Sequence, residues 1–187
     1  AFIKALHYGN LTRSAVLADD SGLEVDTLGG APGVDSAIYA GPQADARANN
    51  VKLLAELADL PLVARSARFR CAMVFVRDAD DVAPIIAEAS WPGRIALEPR
   101  GAGGFGFDPL FIVEGGDRTA AEMPEAEKNR VSHRGQALMA LAAAMGFDFR
   151  PLQVGDLALV RRWLLEPHVA RWWGDADEKI ADIAEHI

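Results

Sequence analysis

The chain has one cysteine, Cys71, among 187 residues. One cysteine closes no intramolecular disulfide and builds no cysteine-based metal site. It lies in the apolar run Cys71-Ala72-Met73-Val74-Phe75-Val76, so core packing is its expected role. The lack of bridges fits a reducing compartment, and a cytoplasmic location is expected. No stretch approaches the roughly 18 unbroken apolar residues of a spanning helix, so no membrane is expected as a partner. No signal-peptide pattern opens the chain. Positive charge is also short. Lys and Arg number 19 against 27 Asp and Glu, a formal net charge of -8. That balance excludes a broad basic face for duplex nucleic acid. It leaves room for a small phosphorylated ligand, for which a few local cations and a metal suffice.

What is present is globular. Half the residues are hydrophobic and a quarter charged. The length allows one sizeable domain, or one domain plus a fragment. One stretch organises the rest: Ala18-Asp19-Asp20-Ser21-Gly22-Leu23-Glu24-Val25-Asp26. Two carboxylates follow the apolar run Ala15-Val16-Leu17-Ala18. A buried strand that delivers an Asp pair to its open end can hold a divalent cation. A hairpin with a polar Ser-Gly turn fits the same residues. Both readings stand on this stretch alone.

Around it the pattern predicts alternating helices and strands. Residues 1 to 8 read as the end of an amphipathic helix stopped at Gly9-Asn10, so the chain reads as a fragment or a processed product. Residues 15 to 19 and 23 to 26 read as strands. The loop Leu28-Gly29-Gly30-Ala31-Pro32-Gly33-Val34 is rich in turn residues but meets no P-loop pattern. Residues 45 to 57 read as a helix capped by Asp45, with Val51, Leu54, Ala55, Leu57 and Ala58 as its apolar face. Residues 67 to 77 and 84 to 91 read as a strand pair, with Trp91-Pro92-Gly93-Arg94 as a turn and 95 to 97 as a short strand. Residues 110 to 113 read as a strand, and 125 to 130 and 136 to 145 as helices. After Gly146 a strand is predicted over 149 to 152 and helices over 156 to 165 and 178 to 186. Three of the four tryptophans fall in this tail, which marks a candidate boundary.

Three places combine glycine with polar groups. Residues 19 to 22 are acidic. Residues 101 to 108 present Phe105 and Phe107 on a glycine-rich backbone. Residues 128 to 135 carry Lys128, His133 and Arg134. Together they suit a nucleotide with Mg²⁺: the cation bridges carboxylate and phosphate, a ring stacks on the base, and Arg or Lys reads polar edges. Each place alone also fits a solvated turn, a helix cap or core packing.

The string from Leu17 to Asp26, with Leu28-Gly29-Gly30-Ala31-Pro32-Gly33-Val34 after it, resembles the signature of the inosine triphosphate pyrophosphatase family. The likeness continues in order through Asn50 to Leu54, Ala67-Arg68-Phe69-Arg70-Cys71, Gly103-Gly104-Phe105-Gly106-Phe107-Asp108-Pro109-Leu110-Phe111, Thr119-Ala120-Ala121-Glu122-Met123 and Lys128-Asn129-Arg130-Val131-Ser132-His133-Arg134-Gly135. It covers roughly the first 146 residues. The resemblance implies a mixed α/β fold with a long twisted mixed sheet flanked by helices, a cleft between two lobes, and a homodimer. It implies Mg²⁺-dependent hydrolysis of inosine, deoxyinosine and xanthosine triphosphates to the monophosphate and pyrophosphate. By position it makes Asp20 the metal ligand and general base, with Asp19 supporting it at the metal. It makes Lys4, Ser21, Phe105, Gly106, Phe107, Asp108, Lys128, His133 and Arg134 substrate contacts. Arg134 is donor-only, which suits the keto oxygen of such bases and not the amino group of adenine.

The chain departs from the family pattern in places. The family opens with a Thr/Ser-x-Asn-x-x-Lys segment that supplies phosphate contacts, and residues 1 to 146 begin after it. The domain is therefore expected to lack its N-terminal part, and a catalytically impaired nucleotide-binding remnant is the alternative. Ile38 stands where Arg is usual, Asp35 where an aromatic is common, and Phe107 in place of Tyr. Residues 147 to 187 resemble instead the opening of a GNAT-type N-acetyltransferase, on Phe149-Arg150-Pro151-Leu152, Arg162-Trp163-Leu164, Glu166-Pro167-His168-Val169 and Trp172-Trp173-Gly174. The acetyl-coenzyme A loop is not in this piece, so no acetyltransferase activity is expected of it.

Overall fold

The computed structural model describes residues 1–147, 150 and 152–185, with His168 and Trp172 described in backbone alone. Two compact units result, Ala1–Phe147 and Asp148–Ile187. The first is a mixed α/β unit built on five strands: β1 Val16–Val25, β2 Pro32–Gly33, β3 Ser66–Val76, β4 Ile85–Ile95 and β5 Phe111–Val113. Their order across the sheet is β2-β1-β3-β4-β5, and every described pairing is antiparallel. The resemblance had implied a mixed sheet; among the described residues no parallel pair occurs.

Strand alternation sorts the side chains onto two faces. On one, Ala67, Phe69, Cys71 and Met73 of β3 are buried with Leu23, Val25, Trp91 and Ile95. Helix α4, His133–Ala144, covers part of this face through Ala137 and Leu141. Phe111, Leu110, Leu53 and Leu57 close the remainder of the core. On the other face Val74 and Val76 pack against Ala5 of helix α1, Phe2–Thr12.

Several boundaries differ from expectation. Residues 19–22 are neither a turn nor a strand end. They lie inside β1, paired residue for residue with β3: Asp19 with Met73, Asp20 with Ala72, Ser21 with Cys71, Gly22 with Arg70. Full ladder pairing overrides the turn propensity of Asp, Ser and Gly. Glycine at position 22 answers to crowding, because a Cβ there would stand 2.3 Å from the Gly33 carbonyl oxygen of β2. Likewise β4 runs unbroken through Trp91-Pro92-Gly93-Arg94. Helix α1 passes through Gly9-Asn10 and ends after Thr12 with Arg13 in the left-handed region.

Helix α2, Ala46–Glu56, is capped as expected: Ala48 N–H donates to Asp45 Oδ1 at 2.7 Å. Its buried positions are Asn49 and Leu53, however, while Val51 is exposed. Helix α3 spans Glu125–Val131. α4 begins three residues earlier than predicted, because Ser132 caps it by accepting from Gly135 N–H at 3.2 Å.

The second unit holds α5 Leu157–Leu164, α6 Pro167–Trp173 and α7 Ala176–Ala184. Asp175 caps α7, and Arg161 of α5 pairs with Asp177 of α7 at 2.6 Å. The strand predicted over 149–152 falls largely outside the described residues. No helix among them is long and apolar enough to cross a membrane.

Candidate functional site

A cavity of about 560 Å³ opens on the α4 side of the sheet in the first unit. Its floor is β1 and β3, through Ser21, Leu23 and Phe69; one wall is the first turn of α4, and the other is the loop after Gly104.

That loop is shaped by one carboxylate. Asp108 is buried, accepts from Phe105 N–H at 2.6 Å and pairs with Lys128. Gly104 sits at φ +71, and a Cβ there would lie 2.2 Å from Asp108 Oδ2, so only glycine fits this turn. Asn50 of α2 ties down the far side by donating to the Gly106 carbonyl at 3.0 Å. The loop thus splits its two rings. Phe107 is buried edge-on to Tyr39, whereas Phe105 is 64% exposed. Lys128 Nζ and the Arg134 guanidinium stand 5.0 and 5.4 Å from the Phe105 centroid.

On the α4 wall His133 is buried, and its Nδ1 has no hydrogen-bond partner. Its ring lies on Phe69, with centroids 4.8 Å apart and planes at 15°. Burial first, then the positive charges of Arg134 and Lys128, push its pKa down to about 4. It is neutral at physiological pH and offers one donor and one acceptor nitrogen.

The two acidic residues do not converge. Neighbours on a strand point to opposite faces. Asp19 turns to the cavity side, where Arg134 Nε donates to its Oδ2 at 2.9 Å and Nη2 pairs with the same oxygen at 2.8 Å. Asp20 turns to the α1 side, where Lys4 Nζ donates to its Oδ1 at 2.9 Å and the Ala1 amino group stands 3.6 Å from Oδ2. The Lys4 hydrogen bond, partly offset by burial, holds the Asp20 carboxyl below the usual carboxylate range. Asp20 borders a second recess of about 190 Å³ with Glu24, Arg70 and Glu88. Ser21 and Gly22 border both recesses.

A profile described as the Ham1 family matches residues 1–144. The chain belongs to the Ham1 family. A dITP/XTP pyrophosphatase of Methylococcus capsulatus is 54% identical over 145 residues, covering 78% of this chain and 72% of that protein. A dITP/XTP pyrophosphatase of Escherichia coli K12 is 49% identical over 145 residues, with 78% and 74% covered. Among solved structures, a HAM1 protein from Coxiella burnetii superposes with a TM-score of 0.73 at 46% identity, covering 78% of this chain and 74% of that one.

Within this Ham1-family unit, Ser21, Phe105, Gly106, Phe107, Asp108, Lys128, His133 and Arg134 gather around one cavity. Lys4 and Asp20 meet on the opposite face of β1. The expectation that Asp19 and Asp20 share one cation meets a geometric obstacle, since their carboxylates point apart. Among the described residues no group of three or more His, Cys, Asp or Glu could hold a metal ion. A single carboxylate such as Asp20 can hold Mg²⁺ only with waters and substrate phosphates completing its shell.

Sequence reasoning passed over the supports. Asn49 accepts from Ala40 N–H at 2.8 Å and donates to the Ala37 carbonyl at 3.0 Å, fixing the turn at Ser36–Ile38 on the cavity rim. Phe69 was visible in its parity with Cys71 and Ala67 on a core strand. Asn49 gave no signal, because its partners are backbone groups.

Proposed function

We propose that this chain hydrolyses inosine, deoxyinosine and xanthosine triphosphates to the monophosphate and pyrophosphate, with Mg²⁺, as a house-cleaning enzyme of the nucleotide pool. The carrying observation is the donor set of the large cavity. A neutral imidazole, a guanidinium and an ammonium line a recess beside one open phenyl ring. In this reading the base stacks on Phe105, and its keto oxygen takes hydrogen bonds from Arg134 and His133. Adenine presents an amino group there, which donor-only Arg134 repels. The phosphates pass by Ser21 and Gly22 toward Asp20 and Lys4.

Asp20 would hold the Mg²⁺. When bound, the cation offsets the triphosphate charge that repels an incoming water. Asp20, ionised beside Lys4, accepts the proton of that water. Lys4 acts as a point charge for phosphate oxygens. A homodimer and a cytoplasmic setting belong to the same proposal.

One observation favours a second reading, binding without turnover: among the described residues, no second ligating cluster forms around Asp20. Pyrophosphate release from inosine triphosphate with Mg²⁺, against adenosine triphosphate and EDTA controls, separates the two. Release selective for the inosine compound supports hydrolysis. Inosine monophosphate binding without release supports the second reading, and the absence of both overturns each. For residues 147–187 the acetyltransferase likeness stays a proposal, and coenzyme A titration is its test.

A further inference from the structure

The contact between Asp19 and Arg134 joins residues 115 positions apart. Arg134 Nε donates to Asp19 Oδ2 at 2.9 Å, and Nη2 stands 2.8 Å from the same oxygen as an ion pair. That uses one edge of the guanidinium and leaves the Nη1 end without a partner among the described residues. The guanidinium carbon also lies 5.4 Å from the Phe105 centroid, over the ring proposed to stack with the base. Arg134 is therefore paired with a carboxylate and neighboured by a ring.

An unrestrained arginine on the first turn of a helix samples many rotamers, and fixing it at binding costs affinity. Lys128 Nζ, 5.0 Å from the same centroid, would also repel an unpaired Arg134 from this place. Asp19 counters both effects. Its direction is set by β1, since a residue paired with Met73 points to the cavity side while Asp20, paired with Ala72, cannot. The rim is partly solvated, with side-chain exposures of 39% for Asp19 and 44% for Arg134, so both ends remain within reach of a ligand.

We infer that Asp19 is a positioning residue for base recognition: it grips the Nε/Nη2 edge of Arg134 and so presents Nη1 to the keto oxygen of the purine. Asp19 then holds no metal; that task stays with Asp20 on the opposite face. The inference rests on the proposed nucleotide substrate. It differs from a latch, in which Asp19 would occupy Arg134 and have to be displaced by the ligand.

The test uses the full chain and the variants Asp19→Asn and Asp19→Glu. Calorimetric titration with inosine monophosphate in EDTA reads base recognition without metal or turnover. Steady-state rates with inosine and adenosine triphosphates, and a Mg²⁺ titration, read selectivity and metal use. For Asp19→Asn we expect monophosphate binding about tenfold weaker, the scale of a lost charge-assisted pair. We also expect a reduced preference for inosine over adenosine triphosphate, and an unchanged Mg²⁺ concentration at half-activation. Asp19→Glu, which restores the carboxylate, should recover most of the binding. Unchanged binding in Asp19→Asn overturns the inference. Tighter binding overturns it in favour of the latch, and a shifted Mg²⁺ requirement overturns it in favour of a metal role. Wild-type protein that neither binds the monophosphate nor releases pyrophosphate overturns the substrate proposal itself, and this inference with it.

Discussion

His133 lies nearly flat on Phe69, 4.8 Å between ring centroids, with Trp91 stacked behind at 6.3 Å from the same imidazole. This packing has a thermodynamic consequence. The folded His133 has a pKa of about 4 against an ordinary 6.5, so the unfolded chain binds its proton first as pH falls. Stability therefore has its full value above pH 6.5 and is lost as pH drops toward 4. The total loss is about 3 kcal/mol by linkage. Urea unfolding between pH 7.0 and 4.5 should show this slope in the wild type and not in His133→Gln. Equal slopes in both proteins would refute the assignment.

Asp20→Asn tests the role of the carboxylate on the α1 face. The side chain is half exposed, so its ion pair with Lys4 contributes little to folding, at most about 1 kcal/mol. Turnover of inosine triphosphate should nevertheless fall by a factor on the order of a hundred or more, because the proposed general base and metal ligand would be lost together. Inosine monophosphate binding, which depends on the other face of β1, should remain within about twofold. Normal turnover in a folded variant would remove Asp20 from the mechanism.

How much of this site could be read from the sequence depends on range. Residues local to one element were visible: Asp45 as a cap, the strand read over 67 to 77 and found at Ser66–Val76, the aromatic pair in the glycine loop, and the basic turn before α4. The pairing of β1 with β3 was not visible. Residues 19 to 22 look like a turn in isolation, and only ten consecutive ladder partners on β3 hold them extended. The divergence of Asp19 from Asp20 follows from that extension, so it was hidden too. Phe105 and Phe107 looked equivalent by composition. Asp108 separates them by drawing Lys128 and the Phe105 amide to one oxygen, a contact that spans 20 residues.

That contact carries the next prediction. Side-chain exposures are 13% for Lys128 and 4% for Asp108. Asp108→Asn keeps an acceptor for the Phe105 amide but removes the counter-charge of a largely buried ammonium. The cost should be about 3 kcal/mol. The double variant Asp108→Asn/Lys128→Met, which also removes the stranded charge, should recover part of it. Thermal unfolding of the single, the double and Lys128→Met alone measures the coupling. A single-variant cost below about 1 kcal/mol would mean that the pair is solvated in solution.

Gly22 sits where β2 crosses close over β1. A methyl group there would stand 2.3 Å from the Gly33 carbonyl oxygen and 2.9 Å from its carbon, both backbone atoms that cannot rotate aside. Gly22→Ala must push β2 away and strain the Leu23–Gly33 pairing. Overpacking of this kind costs about 1–3 kcal/mol. Gly155→Ala is the matched control, since a Cβ there meets nothing within 4 Å. The melting temperature should fall for Gly22→Ala and hold for Gly155→Ala. Gly22 also borders both recesses, so kcat/KM for inosine triphosphate should fall further than the loss of folded protein explains. A Gly22→Ala protein with wild-type stability and turnover would show that β2 yields freely to the added methyl group.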